Sequence, residues 1–89
     1  MIRTSITIIN KLGLHARASA KLSKLAGSYA CEVHMSRNGR RINAKSIMGV
    51  MMLAAGLGSE VELETDGEGE QAAMDALLQL IGAKFGEEQ

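Results

Sequence analysis

The chain has no proline, and its 89 residues include a single cysteine, Cys31. Without proline, no strand or helix is broken by a locked φ and a missing N–H. One cysteine cannot form an internal disulfide, and a small domain with neither disulfides nor a metal cluster points to a reducing compartment. Net charge is absent too: ten Lys and Arg balance ten Asp and Glu. Such a chain lacks the basic surplus that neutralises nucleic-acid phosphates. No apolar run approaches a membrane span, and the opening Met1-Ile2-Arg3-Thr4 alternates instead of forming a signal-peptide core. The expectation is a soluble cytoplasmic monomer with no nucleic-acid partner and no membrane insertion.

What is present suits one globular domain spanning residues 1–89. Apolar residues make up 46% and charged residues 22%, which is not the composition of a disordered chain. The charges are segregated: nine of the ten acids follow Ser59, and most of the basic residues precede Ser46. The first half therefore favours anionic groups.

Ile2, Thr4, Ile6 and Ile8 alternate with polar residues, the period of a half-buried strand. After the loop Asn10-Lys11-Leu12-Gly13-Leu14, Ala18, Leu22, Leu25 and Ala26 share one face of a helix over 16–26, with Gly27 placed to end it. Cys31, Val33 and Met35 mark a second strand, which puts Cys31 in the core and His34 toward solvent. Asn38-Gly39 signals a tight hairpin returning through Arg40–Asn43. A short helix is expected from Ser46 to Leu53, ended by Gly56 and Gly58. The fourth strand places Glu60, Glu62 and Glu64 on a solvated outer face. A final helix over 70–84 turns Ala73, Leu77, Leu80 and Ile81 inward, with Lys84 at the border. The order is β-α-β-β-α-β-α, an α+β fold with its helices on one face of the sheet and water on the other.

Leu14-His15-Ala16-Arg17-Ala18 holds the chemistry. His15 ends a glycine-containing loop and a helix starts behind it, so unpaired N–H groups at Ala16, Arg17 and Ala18 can cradle a phosphate. Arg17 is a cation in the first helical turn, where the helix dipole favours acids. That misplacement makes sense if a phosphoryl group visits, because a guanidinium grips phosphate with two parallel hydrogen bonds. Positive charge nearby is also expected to keep the imidazole neutral and nucleophilic. The alternative is that His15 only caps a helix and Arg17 lies in solvent. No set of residues has metal-ligand spacing, and no nucleotide loop or hydrolytic triad can be assembled.

Ser46 is placed as the N-cap of the short helix. Ile47, Met48, Met51 and Met52 crowd that helix. Some are expected in the core and the rest exposed as an adaptable docking surface that Ala20 and Lys24 extend.

Gly13-Leu14-His15-Ala16-Arg17, together with Lys45-Ser46-Ile47-Met48-Gly49, resembles the HPr family, the histidine-containing phosphocarriers of the bacterial sugar phosphotransferase system. The resemblance spans essentially the whole chain. It implies an open-faced β-sandwich, with a four-stranded antiparallel sheet and three helices on one face. It implies a carrier and not an enzyme, with no cofactor and no metal. His15 would accept a phosphoryl group on Nδ1 from phosphorylated enzyme I and pass it to the A component of an enzyme II, with Arg17 steadying the group. Ser46 matches a regulatory serine on which a dedicated serine kinase/phosphorylase acts in many relatives. The family usually carries proline after the arginine; here that position is Ala18, which implies a slightly looser site with unchanged chemistry. A regulatory phosphorelay or interaction module, uncoupled from sugar transport, is the alternative.

Overall fold

The computed structural model describes residues 1–88. Four strands, β1 (Ile2–Thr7), β2 (Glu32–Arg37), β3 (Arg40–Asn43) and β4 (Glu60–Asp66), alternate with α1 (Ala16–Gly27), α2 (Ile47–Met52) and α3 (Glu70–Gly82) in the expected order. A short 3-10 turn, Lys84–Gly86, follows α3. The strands form one antiparallel sheet in the order β1-β4-β2-β3.

Strand alternation supplies the inner layer. Ile8, Cys31, Val33, Met35, Val61 and Leu63 are buried on one face, where Ala18, Leu22 and Ala26 of α1 and Ala73, Leu77 and Ile81 of α3 cover them. The β2–β3 hairpin turns at Asn38 (φ 51°) and Gly39 (φ 81°), the paired left-handed residues of a type I′ turn. Ser46 caps α2, its Oγ accepting the Gly49 N–H at 3.1 Å.

The elements differ from the sequence reading at four points. Gly27 remains helical, and Ser28 closes α1 by donating from both N (3.1 Å) and Oγ (2.6 Å) to the Leu25 carbonyl. Ala54, at φ 51°, ends α2 before either glycine is reached. α3 stops at Gly82; Met74 takes an inward position beside Ala73, Leu80 is only half-buried, and Lys84 lies beyond the helix.

The fourth difference is Glu64, which is 4% exposed and not solvated. It lies at the centre of the open face, opposite Arg3 on β1 and His34 on β2. Arg41 reaches across from β3 to bind both carboxylate oxygens, at 3.0–3.3 Å. The strand order thus brings an acidic strand between basic ones and undoes the charge segregation along the chain. Arg41 holds the Glu64 carboxyl below the usual carboxylate range, against the opposing effect of burial.

Candidate functional site

The loop before α1 is fixed from both sides. Gly13 has φ +63°, and a Cβ there would lie 2.4 Å from the Ala55 carbonyl oxygen, so no other residue fits without displacing backbone. That close approach lets the Leu14 N–H donate to the Ala55 carbonyl at 2.9 Å. On the helical side, Ser19 donates through Oγ to the Leu14 carbonyl (3.0 Å) and through N to the His15 carbonyl (2.9 Å). His15 itself has the extended backbone of an N-cap residue, but its side chain makes no capping bond. The imidazole is therefore free for another use.

Its partner comes from the other end of the chain. His15 Nε2 lies 2.5 Å from Glu87 Oε2, and the two side chains are 27% and 19% exposed. Asn10, fully buried, donates from Nδ2 to Glu87 Oε1 (3.0 Å) and to the Gly13 carbonyl (2.8 Å). Glu87 arrives there through a sharp reversal: Lys84, Phe85 and Gly86 all adopt positive φ (57°, 57° and 78°). Two of these are non-glycine residues in a strained region, at a cost of roughly 1–3 kcal/mol each. The buried Phe85 ring (1% exposed) offsets this, since burying such a side chain is worth about 1.5–3 kcal/mol. Lys21 of α1 adds a bond from Nζ to the Phe85 carbonyl.

His15, Ala16, Arg17, Lys11, Leu12, Glu87 and Glu88 line one open cleft. Among the described residues Nδ1 of His15 has no hydrogen-bond partner, and neither does the Arg17 guanidinium. The backbone N–H groups of Ala16, Arg17 and Ala18 precede the first intrahelical bond, although the Ala18 side chain itself is in the core. Lys11 and Arg17 bring the expected positive charge to the same cleft, and the charged group bonded to the ring is an acid, Glu87. Asn10 and Glu87 were not singled out in the sequence. A separation of 72 residues between Glu87 and His15 leaves no local pattern to read.

The second motif lies on α2. Ser46 is exposed at its cap. Ile47, Met48, Met51 and Met52 are all exposed, at 45, 68, 39 and 57%, so none of them belongs to the core as some were expected to. Val50 and Leu53 take the inward positions instead. α2 packs against α1, where Ala20 is half-buried and Lys24 exposed. Cys31 is buried as expected, and His34 is half-buried beside Glu64. No group of three potential metal ligands occurs among the described residues. No helix among them is long and apolar enough to cross a membrane.

Known proteins resemble the chain along essentially its whole length. A family model described as the PTS HPr component phosphorylation site matches residues 2–83. The chain is 70% identical over 87 residues to the phosphocarrier protein HPr of Cupriavidus necator, with 98% of each chain covered. It is 56% identical to that of Neisseria meningitidis over the same share of both chains. The solved structure of HPr-C-His from Thermoanaerobacter tengcongensis matches with a TM-score of 0.96 at 40% identity over 100% of both chains. An HPr dimer from the same organism matches at 0.79 and 40% identity, covering 98% of this chain and 100% of that one. The chain therefore belongs to the HPr family, the phosphocarrier proteins of the phosphotransferase system, and is a carrier and not a catalyst.

Proposed function

We propose that His15 accepts a phosphoryl group on Nδ1 from phosphorylated enzyme I and delivers it to the A component of an enzyme II. The observation that carries this reading is a ring whose Nε2 is engaged by Glu87 while Nδ1 has no hydrogen-bond partner among the described residues, in a cleft that Ala16 and Arg17 of α1 also line. The lone pair of Nδ1 attacks phosphorus, the N–P bond forms, and the donor's leaving group departs with its own electron pair. In the next transfer the imidazole is the leaving group. Arg17 meets the charge on the phosphoryl oxygens, and the N–H groups of Ala16, Arg17 and Ala18 cradle them. No small-molecule pocket is needed, because both exchanges take place between proteins.

The exposed side chains of Ile47, Met48, Met51 and Met52, with Ala20 and Lys24 on the neighbouring helix, form the docking surface for both partners. Unbranched thioethers adapt to differently shaped surfaces, and Lys24 offers charge to acidic ones. Ser46 stands at the edge of this surface and is the site at which a serine kinase/phosphorylase regulates docking. Phosphate at that helix cap adds negative charge without opposing the helix. The protein works as a cytoplasmic monomer.

The test is reconstitution. Incubation with enzyme I and phosphoenolpyruvate loads one acid-labile phosphate, and addition of an enzyme II A component discharges it. A chain that is loaded but discharged by no such component belongs instead to a regulatory phosphorelay. A chain that is never loaded refutes the carrier reading.

A further inference from the structure

We propose that Glu87 is the positioning residue of this site: its carboxylate keeps the His15 proton on Nε2, leaving the Nδ1 lone pair for phosphorus and balancing the charge of the phosphorylated ring. The inference rests on reading His15 as the phosphoryl acceptor.

The geometry is directional. An ionised carboxylate only accepts hydrogen bonds, so the ring nitrogen facing Glu87 Oε2 must be the donor. A neutral imidazole has one N–H, and placing it on Nε2 leaves Nδ1 as the nucleophile. The carboxylate is itself held: Asn10 Nδ2 donates to Oε1 from a fully buried position. The backbone carrying it is held by the buried Phe85 ring and by Lys21 on its carbonyl. Hydrogen bonds from Asn10 and then from His15 hold the Glu87 carboxyl below its usual range, so it remains an acceptor at neutral pH. Lys11 and Arg17 also face the cleft, with Glu88 beside them, and Lys21 approaches from α1. Of these charged groups, Glu87 alone is hydrogen-bonded to the ring among the described residues. Two residues in strained conformations, Lys84 and Phe85, form the reversal that precedes it.

The consequence follows through the transfer. When Nδ1 forms its bond to phosphorus, the Nε2 proton stays in place, and the ring carries a positive charge opposite the Glu87 carboxylate. On discharge the N–P electron pair returns to Nδ1, the phosphoryl group passes to the acceptor, and the ring regains its starting tautomer. A ring that kept its Nε2 proton less firmly would be a poorer leaving group. Glu87 thus sets how readily the phosphoryl group is released.

Two measurements on the full chain, using E87A, E87Q and the control E68Q, at an exposed carboxylate outside the cleft, test this. Nitrogen-15 spectra of the unphosphorylated neutral ring are expected to show the Nδ1–H to Nε2–H ratio rising about tenfold in E87A, the loss of one charge-assisted hydrogen bond. After loading by enzyme I and phosphoenolpyruvate, the dephosphorylation rate of E87A and E87Q at neutral pH is expected to fall about tenfold, with the pH profile displaced to lower pH. E68Q is expected to behave as wild type in both. If E87A does not fold, E87Q preserves the shape of the side chain and its pH profile decides. An unchanged tautomer ratio in E87A, an unchanged pH profile in E87Q, or equal effects of E68Q and E87Q would overturn the proposal. If the wild-type chain takes no phosphate at all while the tautomer ratio still depends on Glu87, the carrier reading has failed and the Glu87–His15 contact has not.

Discussion

Under the proposed function, Arg17 sets folding against function at the scale of one residue. It lies in the first turn of α1, where the helix dipole disfavours a cation, and it makes no hydrogen bond or ion pair among the described residues. Arg17→Ala is therefore expected to leave the urea midpoint unchanged or slightly raised, while the rate of loading from enzyme I falls about 10²- to 10³-fold, the usual cost of removing one preorganised donor. Gly13 shows the reverse case, a residue needed for shape alone. Gly13→Ala meets the Ala55 carbonyl and requires an L residue at φ +63°. A loss of more than about 1 kcal/mol in urea unfolding is expected. The placement of His15 and Arg17 at the start of α1 was legible in the sequence because the junction between loop and helix is local. Asn10 and Glu87 were not, because what defines them is a contact closed by the fold.

The elements were legible where local chemistry decides them. Asn38-Gly39 forms the type I′ turn its residues demand, and Ser46 caps the helix it precedes. Boundaries failed where another residue did the work expected of a glycine: Ser28 closes α1 and Ala54 ends α2. The strand pattern at Glu60, Glu62 and Glu64 was right in phase, since all three point away from the core. It could not show that Arg41, two strands away in the sheet, covers one of them. For α2 the expected consequence of capping is specific. Ser46→Ala removes the bond to the Gly49 N–H and is expected to cost about 1 kcal/mol. Hydrogen exchange should quicken at Gly49 and Val50 while the β4 amides are unaffected. Ser46→Asp, which still supplies a capping oxygen, is expected to restore that protection.

For the whole molecule, the chain's two ends and its central strand are held by carboxylates in low-pKa surroundings. Glu64 is held by Arg41, Glu70 by the Gly67 N–H and then the N-terminus, and Glu87 by Asn10 and then His15. In each case the folded state binds its proton less readily than the unfolded chain. Their stabilisation is therefore complete above the ordinary carboxylate range and lost as pH falls through the lowered folded values. Urea unfolding across acid pH should show stability falling steeply there, and Arg41→Ala should both lower stability at neutral pH and flatten that slope. The return of the chain after α3 places Glu87 on the His15 ring, 72 residues away in the sequence. The most direct test of the account is to load the chain with enzyme I and phosphoenolpyruvate and locate the phosphate by phosphorus and nitrogen NMR. The account predicts one phosphoryl group, on Nδ1 of His15, and none in His15→Ala; phosphate retained in that variant, or found on another residue of the wild type, would contradict it.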